Sequence, residues 1–243
     1  MSEESVADID AETRRRLQSV ATATLAATLQ KRGVRTTFMS GLTSIKPGQR
    51  MVGRARTLRF VPIREDLVET YAPRLNSQRA AIESLQPGEV LVIDARNDTE
   101  AGTIGDIFAV RAIQLGAVGI VTDGAVRDAA ALRRLEIPVY NRASHGATFR
   151  RMHMPVDYQV PIACAGVTVV PGDVIVGDED GVVVVPAALA HDVAAEAEQQ
   201  ELEEEWGMER VAAGETTDGA FPITPARRPE FEAWVATRRG QGS

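Results

Sequence analysis

The chain has 243 residues, 44% of them hydrophobic and 25% charged, an ordinary balance for a globular protein and enough to bury a substantial core. Its 34 acidic and 27 basic residues give a formal charge of −7, which argues against a nucleic-acid surface, with its clustered basic charge, and against a polybasic membrane anchor. Cys164 is the single cysteine, so an intramolecular disulfide and a cysteine-rich zinc site are both excluded. 

The N-terminus, Met1-Ser-Glu-Glu, lacks an apolar signal core, and no apolar run reaches membrane-spanning length; a cytoplasmic protein is expected. Asp10 is placed to cap a helix running to about Lys31, with Leu17, Val20, Ala21, Leu25 and Leu29 on one face and Gly33 as its stop. Three Pro-Gly turns, at Pro47, Pro87 and Pro171, each feed a valine-rich run that reads as a buried strand. Those runs are either strands of related hairpins or unrelated uses of a common turn. 

The middle of the chain alternates: a strand over 90–94, a helix over 103–115, a strand over 117–122, a helix over 126–135 and a short strand over 137–140. This spacing implies a parallel sheet with helices packed on it. Residues 161–186 revert to hairpins, with Asp180-Gly181 as a tight turn. A charged helix follows over about 187–213. The tail, 214–243, contains Pro222 and Pro225 and then a short amphipathic helix with Phe231 and Trp234. The reading is α/β: one domain over 1–213, and a C-terminal helical arm packing on a neighbouring subunit.

In such folds ligands gather beyond the carboxyl ends of strands. Two segments sit there. In Ala101-Gly-Thr-Ile-Gly-Asp-Ile, small residues let backbone N–H groups approach a carboxylate or phosphate at the start of a helix. In Asp123-Gly-Ala-Val-Arg-Asp128, an arginine beside a strand end is placed to grip a carboxylate bidentately. Each residue also has a plainer role: Asp123-Gly124 a turn, Asp128 a helix cap, Asp106 an acid satisfying the helix dipole, Arg127 a surface cation. 

The other polar groups read as structural. Asp178-Glu-Asp-Gly181 lacks the rest of a calcium loop and suits a hairpin tip. His145, His153 and His191 have no metal-ligand spacing, and Glu201–Glu205 reads as a solvated helix face. Lys31 and Lys46, the only lysines, lie in polar contexts unsuited to a Schiff base, so carbonyl chemistry would call for a metal as electron sink.

Residues 101–128, with Pro161-Ile-Ala-Cys-Ala-Gly-Val and the Pro171–Pro186 hairpin, resemble the RraA-like family. That family includes the 4-hydroxy-4-methyl-2-oxoglutarate aldolases and protein regulators of RNase E. The resemblance spans roughly 13–217. It implies a swivelling β/β/α domain with mixed sheets, assembled as a homotrimer or hexamer with active sites between subunits. It further implies class II lyase chemistry on a small 2-oxo acid with Mg²⁺ or Mn²⁺; the charge balance, for its part, leads to the expectation of no nucleic-acid and no membrane partner. By resemblance, Asp128 holds the metal, Arg127 holds substrate oxygens, and Asp106 meets the metal through a water. The amides around Gly105, Asp106 and Ile107 hold the pyruvyl carboxylate. A neighbour's glutamate, among Glu203, Glu204 and Glu205 and assigned to Glu204, completes the metal site. The motif's final acid is replaced here by Ala131, which removes an outer contact. Two rivals stand beside the lyase. One is a non-catalytic regulator binding a partner such as an RNase. The other is a related lyase or hydratase on sugar acids, its pocket shaped by 64–79, where Arg74 could meet a second carboxylate.

Overall fold

A computed structural model describes residues 9–70 and 76–241; the acidic N-terminus and Arg74 lie outside them. In place of one long N-terminal helix there are two, α1 (Ala11–Ser19) and α2 (Thr22–Lys31). Asp10 caps α1 by accepting from the Thr13 amide at 2.9 Å. The break at Val20 and Ala21 is held from outside. Arg50 donates to the carbonyls of Leu17 and Val20. The exposed first amides of α2 find distant acids: Thr22 N donates to Asp178 at 2.8 Å and Ala21 N to Glu201 at 2.9 Å. These tertiary caps satisfy donors that a continuous helix would have bonded internally.

The strands follow as β1 (Thr43–Ser44), β2 (Met51–Pro62), then after α3 (Ser77–Glu83), β3 (Glu89–Asp94) and β4 (Gly102–Ile104). Next come α4 (Asp106–Gln114), β5 (Gly119–Thr122), β6 (Ala125–Val126), α5 (Ala129–Leu132), β7 (Val139–Asn141) and β8 (Ala143–Ser144). The chain closes with β9 (His153–Tyr158), β10 (Ile162–Cys164), β11 (Val167–Val169), β12 (Val174–Gly177), β13 (Val182–Val185), α6 (Ala190–Ala212) and α7 (Arg228–Gln241).

Eight strands form one mixed sheet in the order β1-β7-β5-β3-β2-β12-β13, with β9 also pairing β2. The β2–β3, β3–β5 and β5–β7 pairs are parallel; the alternation predicts the last two, and β2 adds a further parallel strand outside it. Long β2 serves two antiparallel partners in succession, β12 along its first part and β9 along its last. The three Pro-Gly turns all place glycine at positive φ (80°, 81° and 89°), where a side chain would strain the backbone. Their strands β2, β3 and β12 lie side by side in this sheet. They are not three hairpins: only β12 opens one, with β13 across Asp180-Gly181.

The central relationship for the site is a second, three-stranded parallel sheet, β4-β6-β8. Each of β3, β5 and β7 leaves the main sheet at its carboxyl end and continues as β4, β6 or β8. The expected helix over 103–115 therefore starts only at Asp106, and the helix over 126–135 shrinks to the single turn of α5. Apolar clusters cover both faces of the main sheet. Leu91, Ile93 and Ile120 pack with Ile82 of α3 and Ala109 and Ala112 of α4; Val90, Val92 and Val121 pack with the β10–β11 hairpin. 

On α7, Phe231 packs with Trp206 of α6 in the same chain; Arg227, just before α7, stacks on Trp206, and Arg238 of α7 on Trp234. No helix among the described residues is long and apolar enough to cross a membrane.

Candidate active site

The last residues of the small sheet converge. Gly105 follows β4, Arg127 and Asp128 follow β6, and His145 follows β8. The ladder continues one step past the strands, Arg127 N donating to the Ile104 carbonyl at 2.8 Å and His145 N to that of Val126 at 2.9 Å.

Asp128 has φ 55° and ψ 39°, a left-handed backbone, and its side chain makes no cap bond to α5. Non-glycine residues seldom adopt this conformation, which costs on the order of 1 kcal/mol and concentrates at functional sites. Its carboxylate is exposed and has no hydrogen-bond or ion-pair partner among the described residues, so the helix-cap role read from the sequence is not taken up. The carboxylate lies against Gly105, where a β-carbon would come within 2.7 Å of Oδ2. Gly102 is equally tight: a β-carbon there would lie 2.2 Å from Cγ of Arg127. Two glycines thus let the Arg-Asp loop settle onto the start of α4.

Arg127 is half-buried, and its Nε is buried without a hydrogen-bond partner. Asp106 opens α4, and its Oδ1 accepts from the Ile107 amide at 2.7 Å. The dipole-satisfying role is therefore real, and a ligand carboxylate seated there competes with Asp106 for that amide. The Ile107 side chain is 80% exposed, so only its backbone faces this role.

Beside these residues lies a cleft of about 160 Å³ lined by Gln78, Gly102, Thr103, Gly105, Phe108 and Arg127, and by Thr148, Phe149 and Arg150. It suits a molecule well below drug size. Nothing in the residue pattern singles out Gln78, whose buried side-chain amide donates to the Thr103 carbonyl, or Arg150 as lining this cleft. Arg79 is exposed on α3 and does not line it.

Asp123 has a structural task beyond a surface turn. Fully buried, its carboxylate accepts from the amides of Ala95 at 2.6 Å, Asn97 at 3.1 Å and Ala165 at 3.2 Å. It thus ties the loop after β3 and the β10–β11 turn to the end of β5. Burial raises its pKa above the ordinary carboxylate value, with neighbouring Asp94 adding to the effect, while the amides of Ala95, Ala165 and Asn97 oppose it. His145 accepts from the Ala147 amide at 3.0 Å, in keeping with a structural role.

The acidic helix face is mostly paired. Glu196 meets Arg32, Glu198 meets Arg15 and Arg16, Glu203 meets Arg228, and Glu205 meets Arg238. Glu209 accepts from Trp234 and Arg238. Among the described residues Glu204 accepts only from the neutral amide of Gln200, at 2.8 Å. It lines a groove with Ser19, Val20 and Met208, and no described contact joins it to Asp128 within the chain.

Among the described residues no three His, Cys, Asp or Glu side chains cluster to hold a metal. A hard cation such as Mg²⁺ nonetheless needs only one or two protein carboxylates, because water and substrate complete its shell. Asp128 and Asp106 fit that oxygen-only donor set.

The RraA-like family model (Aldolase/RraA) matches residues 22–184. A Halalkalibacterium halodurans protein, a candidate 4-hydroxy-4-methyl-2-oxoglutarate aldolase by name, is 35% identical over 171 residues, 69% of this chain and 76% of its own. The crystal structure of Streptomyces coelicolor RraAS2, described as an unusual member of the RNase ES inhibitor RraA protein family, is 35% identical, with a TM-score of 0.76 over 83% of this chain and 98% of that one. A Pseudomonas syringae protein described as uncharacterized gives the same TM-score at 27% identity, over 88% and 98% of the two chains.

Proposed function

Because the chain belongs to the RraA-like family, we propose that it is a divalent-metal-dependent lyase of the pyruvate aldolase type. It cleaves a 4-hydroxy-2-oxo acid to pyruvate, and oxaloacetate decarboxylation, which passes through the same enolate, is a second activity. One observation carries the reading. An uncommitted carboxylate, Asp128, is held on a strained backbone beside an arginine without a carboxylate partner, at the start of a helix and the mouth of a small cleft.

Asp128 and Asp106 hold Mg²⁺ or Mn²⁺, and Glu204 of a second copy completes the site in a homotrimer or hexamer. Bound there, the cation would supply Lewis-acid charge to the oxygens of the 2-oxo acid. The amides of Gly105, Asp106 and Ile107 receive the substrate carboxylate at the positive end of α4. Arg127 binds substrate oxygens and neutralises their charge. Asp106 positions the water that takes the proton from the 4-hydroxyl group as that carbon becomes a carbonyl and the C3–C4 bond breaks, and that returns it to C3 to release pyruvate. Glu204 is supported over its neighbours because Arg228 and Arg238 already engage Glu203 and Glu205.

The test is pyruvate release with Mg²⁺ or Mn²⁺, with EDTA, and from Asp128→Ala. Chelation and substitution are each expected to abolish turnover; activity indifferent to both would end this reading. A non-catalytic regulator is the second reading, favoured by Ala131 and by the likeness to the RraAS2 structure. It requires no turnover of any 2-oxo acid and direct binding to a purified ribonuclease.

A further inference from the structure

Thr103 is an extra residue in the small sheet. Gly102 and Ile104 pair with Ala125 and Val126, so β4 advances two residues against one of β6. A bulge of this kind takes the intervening residue out of step with the ladder and re-aims the strand beyond it. Thr103 is fully buried, so its polar groups must find partners inside the protein.

Three buried side chains lock the bulge. Thr103 Oγ1 donates to the Ala125 carbonyl at 3.0 Å. Its one proton is thereby committed, so at the 3.1 Å contact between the two hydroxyls Thr122 is the donor. Thr122 Oγ1 in turn accepts from Gly124 N at 3.1 Å. The Thr103 carbonyl accepts from the side-chain amide of Gln78, which comes from α3, outside the small sheet. A carbonyl can only accept, so the amide nitrogen must face it and the carboxamide has a single orientation. Gln78 is 4% exposed, whereas the packing of α3 is carried by Ala81 and Ile82.

Two residues beyond the bulge is Gly105, the N-cap of α4, whose α-carbon lies against the Asp128 carboxylate. Any shift of Thr103 therefore carries Gly105 and the first amides of α4 past that carboxylate. We propose that Gln78 is a positioning residue: its amide fixes the Thr103 bulge and, through it, sets Gly105 and the start of α4 against Asp128. This rests on the lyase reading of the Arg127–Asp128 loop.

The experiment is a double-mutant cycle on pyruvate release from 4-hydroxy-2-oxoglutarate in millimolar Mg²⁺. It uses Gln78→Met, which keeps the length of the side chain and removes the donor, together with Gly105→Ala and the pair. Gln78→Met is expected to lower kcat/KM about 10- to 100-fold. In the Gly105→Ala background, where Asp128 is already displaced, the same change is expected to cost about 2-fold or less, because both act on one arrangement. Val193→Ala, a truncation in the apolar cluster that α6 forms with α1 and α2, controls for lost stability, and its effect should be equal in both backgrounds. Multiplying losses for Gln78→Met and Gly105→Ala, or no loss from Gln78→Met, would overturn the assignment. 

Backbone amide NMR spectra read the same relationship without turnover. Gln78→Met should move the amide resonances of Gly105 and Ile107, while those of Val193 and Ala197 on α6 stay in place. Such movement, with no turnover of the aldol by wild type, would sink the lyase reading and keep the link from Gln78 to Gly105. Unmoved Gly105 and Ile107 resonances would sink the role of Gln78 while leaving any measured lyase activity standing.

Discussion

A β-carbon built on Gly105 would lie 2.7 Å from Oδ2 of Asp128, closer than non-bonded atoms sit, so that carboxylate keeps its place because residue 105 has no side chain. Gly105 itself is extended, at φ −130° and ψ −174°, and alanine adopts that backbone without strain. Gly105→Ala should therefore cut pyruvate-releasing kcat/KM by about 100-fold through misplacement of Asp128, with the thermal midpoint nearly unchanged. Full activity in this variant would remove Asp128 from the chemistry.

Gly102→Ala should behave differently. Its β-carbon would meet Arg127 Cγ at 2.2 Å, Arg127 N at 3.0 Å and the His145 carbonyl at 3.1 Å, so relief requires backbone movement inside the small sheet. Overpacking of this kind costs about 1–3 kcal/mol. Denaturant unfolding should register that loss together with a fall in activity, whereas Gly105→Ala should lose activity alone.

Substitutions along α6 separate the pairing role from the proposed metal role. Glu204→Gln should reduce Mg²⁺ or Mn²⁺ affinity and turnover with little effect on stability. Glu203→Gln releases Arg228 of the arm, and Glu205→Gln removes one of the two glutamates that hold Arg238. They should loosen α7, seen as faster amide exchange there, while metal affinity holds; equal metal affinity in all three variants would refute the choice of Glu204.

Asp123→Ala strips the acceptor from three amides at once, Ala95, Asn97 and Ala165. Each buried donor left unpaired costs about 1–3 kcal/mol, so a loss above roughly 3 kcal/mol is expected in urea unfolding. A loss below about 1 kcal/mol would mean that water replaces the carboxylate.

Burial lowers the pKa of His153 below its ordinary 6.5; the charge of Asp98 opposes this and the Arg96 guanidinium reinforces it. Arg96 Nη2 lies 3.0 Å from Nδ1, a contact suited to a neutral ring accepting from the cation. As pH falls, the unfolded chain takes up this proton first. The stabilising contribution is thus complete above about pH 6.5 and declines as pH drops toward the folded value. Urea midpoints near pH 8 and near pH 5 should differ less in His153→Gln than in wild type; an unchanged difference would assign the acid sensitivity elsewhere.

The parallel core of the main sheet was readable because β3 and β5 are apolar runs bounded by turn residues, and because the spacing of β3, β5 and β7 leaves room for helices between strands; β2, which carries Arg54, Arg56 and Arg59, stood outside that pattern. The second sheet was not. β4, β6 and β8 are two or three residues long, too short to express a period of two, and their small residues read equally well as loop or helix. The helices there were consequently drawn too long. The break between α1 and α2 was hidden for another reason: its caps, Asp178 and Glu201, are more than 150 residues away in sequence. At the site, Arg127, Asp128, Asp106 and Gly105 stood out from their types and from the strand preceding them. Gln78 and Arg150 did not: Gln78 reaches the cleft from α3 through its bond to the Thr103 carbonyl, and Arg150 through the docking of the Thr148 segment on β4. The acidic run on α6 looked solvated because its arginine partners lie on other helices.

The left-handed backbone at Asp128 narrows the alphabet that the position tolerates. Glycine, asparagine and aspartate enter that conformation at modest cost, and β-branched residues are shut out. Aspartate is the one member of that short set with a negative charge. Drift at this residue thus has few neutral steps available, and Asp128→Asn erases charge while preserving the bend, a separation of electrostatics from shape that alanine does not provide.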